Sequence, residues 1–191
     1  TVVLEDRWRG FGPARQQVIE AAGDKSDWML MLDGDETLGG VLTPPAGGEV
    51  VEVEERHGDL IAMKPRLLRA GVDWRYVGRT HEYLDTVGRD VRPETSWWIE
   101  SHNDGANRPV KFENDLALLT LDWDDTREAR TAFYLGRTNE DLGRDAEARD
   151  WYGVRLLLGG WDEELWYAQW RRAVLTLKVD EAAGAGLLWD A

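Results

Sequence analysis

Asp33-Gly34-Asp35-Glu36 puts three carboxylates into four residues, directly after the apolar run Trp28 to Leu32. Carboxylates this close repel one another unless a positive charge stands among them. Hard divalent cations that take oxygen ligands, Mg²⁺ or Mn²⁺, suit such a group. Gly34 lets the backbone turn so that Asp33 and Asp35 reach one ion. The competing reading is a solvated acidic turn. His102, in Ser101-His102-Asn103-Asp104, offers an imidazole able to complete a metal shell, against the plainer reading of a surface loop histidine. Glu82, in Gly78-Arg79-Thr80-His81-Glu82, can serve as a general base when held near a hydroxyl. Its plainer alternative is an ordinary His81–Glu82 polar pair at a sheet edge. Arg15 begins a helix after a Gly-rich loop, and Arg66 and Arg69 flank Leu67-Leu68. Their donor forks suit a diphosphate, although solvation is the usual fate of a surface arginine. Trp8 or Trp74 can stack on a sugar or a base, while most tryptophans read as packing residues.

The elements that must position these groups follow from pattern. The apolar run before Asp33, closed by a turn, reads as a buried strand of a parallel or mixed sheet covered on both faces. Such strands place ligand sites just beyond their carboxyl ends. Residues 1–4 read as a short strand. Pro13 suits a first helical turn, and Val18, Ile19 and Ala22 carry helical spacing to Gly23. Residues 1–38 are thus expected as strand–helix–strand. Residues 39–48, rich in Gly and Pro, read as loop. Val50–Val53, Leu60–Met63, Trp74–Val77, His81–Leu84 and Trp97–Ile99 read as strands. Lys64–Arg69 continues as a strand or edge, with Pro65 limiting its pairing. The sheet is expected to be mixed. From Val110 the pattern turns helical. Residues 128–158 read as a helical hairpin that matches much of the ~34-residue tetratricopeptide pattern, with Leu135-Gly136, Gly143, Ala148 and Tyr152 in place. Ala132 and Asn139 stand where that pattern has aromatics. Residues 162–179 read as a further amphipathic helix.

The 191 residues suffice for one sizeable domain with an appendage, divided here as 1–106 and 107–191. A hydrophobic fraction of 42% and eleven tryptophans exclude a disordered chain. The formal net charge of −14 repels nucleic acid and anionic membranes as large-surface partners. There are no cysteines, which excludes disulfides, thiolate metal sites and Cys nucleophiles and fits a reducing, cytoplasmic setting. No apolar run reaches membrane-spanning length. No Gly-x-x-x-x-Gly-Lys phosphate loop and no Ser-centred nucleophile elbow occurs. The start at Thr1 rather than Met reads as a processed or excised piece of something longer.

Four ordered stretches carry a family resemblance: Phe11-Gly12-Pro13-Ala14-Arg15; Asp27 through Glu36; Pro65 through Arg69 followed by Gly78 through Glu82; and Phe133-Tyr134-Leu135-Gly136 through Trp151-Tyr152 to Gly159 and Glu164. Together they resemble the family-2 glycosyltransferases of the GT-A fold, in the bacterial and phage subgroup with C-terminal tetratricopeptide-like repeats. The second stretch resembles that family's metal-binding Asp-x-Asp motif. The resemblance implies an α/β fold, with the C-terminal part of a GT-A mixed sheet and flanking helices in 1–106 and a tetratricopeptide-like helical region in 107–191. It implies a metal-dependent, inverting hexosyltransferase. A Mn²⁺ or Mg²⁺ ion would lie on Asp33 and Asp35 with His102. The nucleotide-diphosphate sugar donor would meet Asp33, Arg15, Arg66 and Arg69. Glu82 would deprotonate the acceptor, with Glu36 as second choice. The acceptor would be a protein or a glycan. Family members begin with a nucleotide-binding half that precedes the residues present here. That departure implies a fragment, a partner chain supplying the half, or a degenerate relative. Two rivals stand beside this reading: a non-catalytic tetratricopeptide interaction module on a degenerate core, and a metal-dependent phosphoester hydrolase using the same acidic turn.

Overall fold

The structure, a computed structural model, describes residues 7–43, 45–102 and 108–189. The strand expected at residues 1–4 lies outside them. The fold is mixed α/β, and the chain divides into two compact units. The first comprises residues 1–77 and 82–106. The second comprises 78–81 and 107–191.

The first unit opens with helix α1, Phe11–Ala22, which has Pro13 in its first turn and buries Ile19. Strands β1 (Trp28–Leu30), β2 (Glu36–Gly40), β3 (Val50–His57), β4 (Leu60–Arg69) and β7 (Val91–Ser101) form one sheet in the order β1-β4-β3-β7-β2. Among the described residues only β3 and β7 run parallel; the other neighbours are antiparallel, so the sheet is mixed as the sequence implies. Two short strands, β5 (Tyr76–Val77) and β6 (Tyr83–Leu84), pair separately. Alternation sends Val50 and Leu68 to one face, where they pack with Ile19, Met29, Met31, Trp74 and Leu84. Val51, Val53, Leu67, Trp97 and Ile99 fill the other face. This explains why residues 28–31 are apolar without interruption. Met29 and Met31 join one core, and Trp28 and Leu30 pack against the other.

Three expectations are corrected. The strand before the acidic turn is shorter than 27–32 and pairs antiparallel with β4 at one end of the sheet order. Residues 36–40, read as turn and loop, form β2 against β7. Lys64–Arg69 is not an edge: β4 lies between β1 and β3. Proline is tolerated there because the β3–β4 register shifts at that point. Val51 pairs Leu67 while Glu52 pairs Pro65, which leaves Arg66 as the extra residue of a bulge.

The second unit is helical: α2 (Arg108–Thr126), α3 (Ala129–Asp141), α4 (Asp145–Leu158), α5 (Asp162–Leu177) and α6 (Glu181–Trp189). Each helix packs on the next in sequence. The expected hairpin over 128–158 and the helix over 162–179 are present, and α6 is additional. Phe133, Ala148, Tyr152, Ala168 and Leu175 form the core. Gly136 lets the Tyr152 ring come close: a Cβ there would lie 2.8 Å from two ring carbons. Asn139, at the position where the repeat pattern has an aromatic, is buried and donates to the Leu135 carbonyl at 2.8 Å. Arg155 and Glu164 form a buried ion pair that joins α4 to α5, and Arg155 also donates to the Gly159 carbonyl at 2.5 Å. Among the described residues, no helix is long and apolar enough to cross a membrane.

Candidate functional site

The Asp33–Glu36 turn closes on itself. The Glu36 N–H donates to the Asp33 carbonyl at 3.2 Å, and the Asp33 N–H donates to Glu36 Oε2 at 2.8 Å. Gly34 is not required for this turn. It lies outside the positive-φ region, and a Cβ there would meet nothing within 4 Å. The reciprocal bonds do the work that flexibility was expected to do.

Two arginines pair with the turn's carboxylates. Arg15, on α1, donates Nη2 to Asp33 Oδ2 at 2.6 Å and Nε to Glu82 Oε1 at 2.7 Å. Burial works against its charge, but the Asp33 bond and the Asp33 and Glu82 charges outweigh that and hold Arg15 more firmly protonated than usual. Helix α1 is fixed at this point by the next residue. Gln16 donates to the Trp74 carbonyl at 3.1 Å and accepts the Tyr76 N–H at 3.0 Å. Arg66, re-aimed by the β4 bulge, donates to Glu36 Oε1 at 2.6 Å and also pairs with Glu55 on β3. Its side chain is 9% exposed and that of Glu36 only 4%. Both oxygens of Glu36 are thus engaged, one by Arg66 and one by the turn's own N–H. This geometry suits a structural strut better than a proton acceptor.

His102 reaches the turn through the sheet. The β2–β7 ladder pairs Glu36 with Ser101, and one step further the His102 N–H donates to the Asp35 carbonyl at 3.1 Å. The His102 ring faces Thr37, with Nε2 and Oγ1 2.9 Å apart. His57 ends β3, the neighbour of β7 on its other side, with Nδ1 3.2 Å from the Ser101 carbonyl. The structure therefore brings Asp33, Asp35, Glu36, Glu82, Arg15, Arg66 and His102 into one connected set. Arg69 stands apart from it: its guanidinium lies over the Trp28 ring at 5.4 Å, and its carbonyl accepts the Trp74 indole N–H at 2.8 Å.

His81 and Glu82 do not act as a pair. Residues 78–81 belong to the helical unit. There Arg79 pairs with Asp122 and Asp125, and Thr80 donates to buried Asp115 at 2.8 Å. The His81 ring stacks on Tyr134, with centroids 4.0 Å apart and planes 5° apart. His81 also takes a positive φ of 51°, unusual for a side-chain-bearing residue. These anchors explain why strand β6 starts at Tyr83 rather than His81.

Sequence reasoning missed two members. Glu55 gives no local signal, because it is one acid among several on β3. Tyr76 lies in an expected strand but was given no chemical role. Its ring centroid is 5.9 Å from the Arg15 guanidinium carbon. Burial raises its phenol pKa; Arg15 and Arg66 counter this, and the Glu82 and Asp33 charges add to it.

The ion-paired set holds four carboxylates, Asp33, Glu36, Glu55 and Glu82, against two guanidinium groups. That leaves a formal excess of negative charge beside the exposed Asp35. The carboxylates of Asp33 and the exposed Asp35 are hard oxygen donors, the type of ligand a divalent cation takes. Among the described residues, no three His, Asp or Glu side chains already stand in a cation-holding arrangement. Arg15, seated on Asp33, is the positive charge present there. No protein-family profile matches the chain. No curated protein matches it in sequence.

Proposed function

We propose that the sheet unit carries the donor-side site of a metal-dependent glycosyltransferase of GT-A type, and that the helical unit is tetratricopeptide-like. The observation that supports this reading most is the single Arg15 fork spanning Asp33 and Glu82 beside the Asp33–Glu36 turn. Asp33 and Asp35 would hold a divalent cation. When bound, that ion supplies Lewis-acid stabilisation to a leaving diphosphate.

The chain's own groups account for the rest. Glu82 is 13% exposed and positioned by Arg15, and it would accept the proton of an acceptor hydroxyl. The acceptor oxygen then bonds to the anomeric carbon of the sugar as the bond to the diphosphate oxygen breaks, which inverts that carbon. Arg15 would balance the diphosphate charge. Arg66 and Glu36 would keep the turn in shape from within, a positioning role. His102 would support the turn from the facing strand and stand beside the ion. The acceptor would be a protein or a glycan.

The test is calorimetric titration of the chain with UDP, with and without Mn²⁺, on the wild type and on Asp33→Asn/Asp35→Asn. Mn²⁺-dependent binding that falls at least about tenfold in the variant is the expected result. Binding indifferent to both Mn²⁺ and the substitutions refutes the proposal. A second reading, a protein-interaction module, draws on the helical unit, where the exposed Trp166 and Trp170 stack with centroids 5.8 Å apart. It predicts that Asp33→Asn/Asp35→Asn leaves function untouched while Trp166→Ala/Trp170→Ala removes partner binding.

A further inference from the structure

In the helical unit most bases already face a carboxylate. Arg130, Arg144, Arg155, Arg171 and Lys178 each stand within ion-pair distance of one. Lys111 and Arg137 are exposed, and among the described residues neither forms an ion pair. The fold brings both to one place. Arg130, Tyr134 and Arg137 recur at helical spacing on α3 and share a face. The Arg130 guanidinium lies 4.9 Å from the Tyr134 ring centroid, and that of Arg137 lies 5.7 Å from the Tyr167 centroid. The His81 ring stacks on Tyr134 at 4.0 Å. Lys111 lies one turn before Asp115 on α2, and Asp115 accepts the hydroxyl of Thr80, the residue before His81. All of these residues belong to the helical unit. We infer that Lys111, Arg130 and Arg137, gathered around the His81–Tyr134 stack, form a binding site for an oxyanion, a phosphate or carboxylate group.

The local charge is out of balance. Arg130 pairs with Glu164, but that carboxylate is shared with Arg155. Asp141, one turn beyond Arg137, makes no ion pair with it among the described residues. Counting Arg155, four bases stand against Asp115, Asp141 and Glu164, an excess of positive charge in a chain of formal net charge −14. Like charges held together repel, and an anion among them removes that cost. The field is felt at His81. Burial, then the Arg137, Lys111 and Arg130 charges, hold its imidazole below the ordinary pKa against the opposing charge of Asp115. The ring is therefore neutral near pH 7 and offers one N–H donor without adding a charge. The three bases differ in what they supply. Arg130 is committed to Glu164 at 3.1 Å and to the Tyr134 hydroxyl at 3.2 Å, so it contributes charge. Arg137 rests over the Phe133 and Tyr167 rings, 6.0 and 5.7 Å from their centroids, which leaves its planar fork of donors for an oxyanion. Lys111 adds a point charge on a flexible stem. The site owes nothing to the acidic turn of the sheet unit, so it is tested apart from the donor-site reading.

The experiment follows the Cε1–H resonance of the His81 imidazole by nuclear magnetic resonance of the full chain at about pH 7.5, above its titration. Inorganic phosphate, or succinate, replaces chloride at constant ionic strength. The chain has three histidines, and His81→Asn identifies the signal by its loss. The expected result is a saturable shift that chloride does not give. Tighter binding of phosphate assigns the site to a phosphorylated ligand, and tighter binding of succinate to a carboxylate. Arg137→Gln and Lys111→Gln, checked for folding by circular dichroism, should each weaken the binding at least about fivefold. Lys178→Gln removes an equal charge that is already paired with Asp145, and should leave the binding unchanged. A His81 resonance indifferent to both anions overturns the inference. So does binding that Lys178→Gln weakens as much as Arg137→Gln, because it would report net charge alone.

Discussion

Replacing Arg66 by Met tests whether the acidic turn is held from inside. Met approximates the length of the arginine stem but removes the charge and every donor. Arg66 and Glu36 are 9% and 4% exposed, so solvent screens their pair weakly. Removing one partner of a buried pair costs about 3–5 kcal/mol, because the other charge stays buried without compensation. Glu55 is 24% exposed and recovers part of its hydration, so the cost sits mainly on Glu36. Hydrogen–deuterium exchange of the β3 and β4 amides, Val50 and Leu68 among them, reports the stability of this sheet unit separately from the helical one. Arg66→Met should lower that stability by about 3–5 kcal/mol. Adding Glu36→Gln should restore at least about 1 kcal/mol, since a neutral amide oxygen still accepts the Asp33 N–H without leaving a buried charge. A loss below about 1 kcal/mol in the single variant, or no recovery in the double, would refute the assignment of Glu36 and Arg66 as a buried strut.

Two further outcomes follow from the helical unit. Gly136→Ala places a methyl group 2.8 Å from the Tyr152 ring, whose hydroxyl is tied to Glu140 at 2.9 Å, so the ring cannot simply swing away. The overpacking should exceed the gain in helix propensity and lower stability by about 1–2 kcal/mol, read by thermal melting. The His81 imidazole is pushed down to about 4 by desolvation against the protein, with help from the Arg137, Lys111 and Arg130 charges and opposition from Asp115. Its folded-state value therefore lies below the ordinary one. Its contribution to stability is complete above about pH 6.5 and drains away as pH falls towards 4. His81→Asn suits the positive φ and removes the titration. It should flatten the fall in melting temperature across that window, and equal slopes in wild type and variant would refute the assignment.

Local patterning made the elements legible. Helical spacing marked α1 and the helices α2 to α5, and short apolar runs marked β3 and the start of β4. The unbroken apolar run marked a strand packed on both faces, and strand and helix need only near neighbours in sequence to declare themselves. The chemical types at Asp33, Asp35, Glu82, Arg15, Arg66 and His102 were equally visible, since charge is a property of the residue. Strand order was not legible, because pairing partners are set by non-local packing. The sequence alone therefore misjudged Pro65 and overlooked β2. The bulge that aims Arg66 at Glu36 exists only as a mismatch between two strands. The meeting of Asp35 with His102 exists only because β2 lies beside β7. The separation of His81 from Glu82 reflects which unit each residue packs in. Residue types thus set which charges this chain carries. The tertiary structure decided which of them are neighbours, because a Coulomb interaction depends on distance in space and is indifferent to distance along the chain.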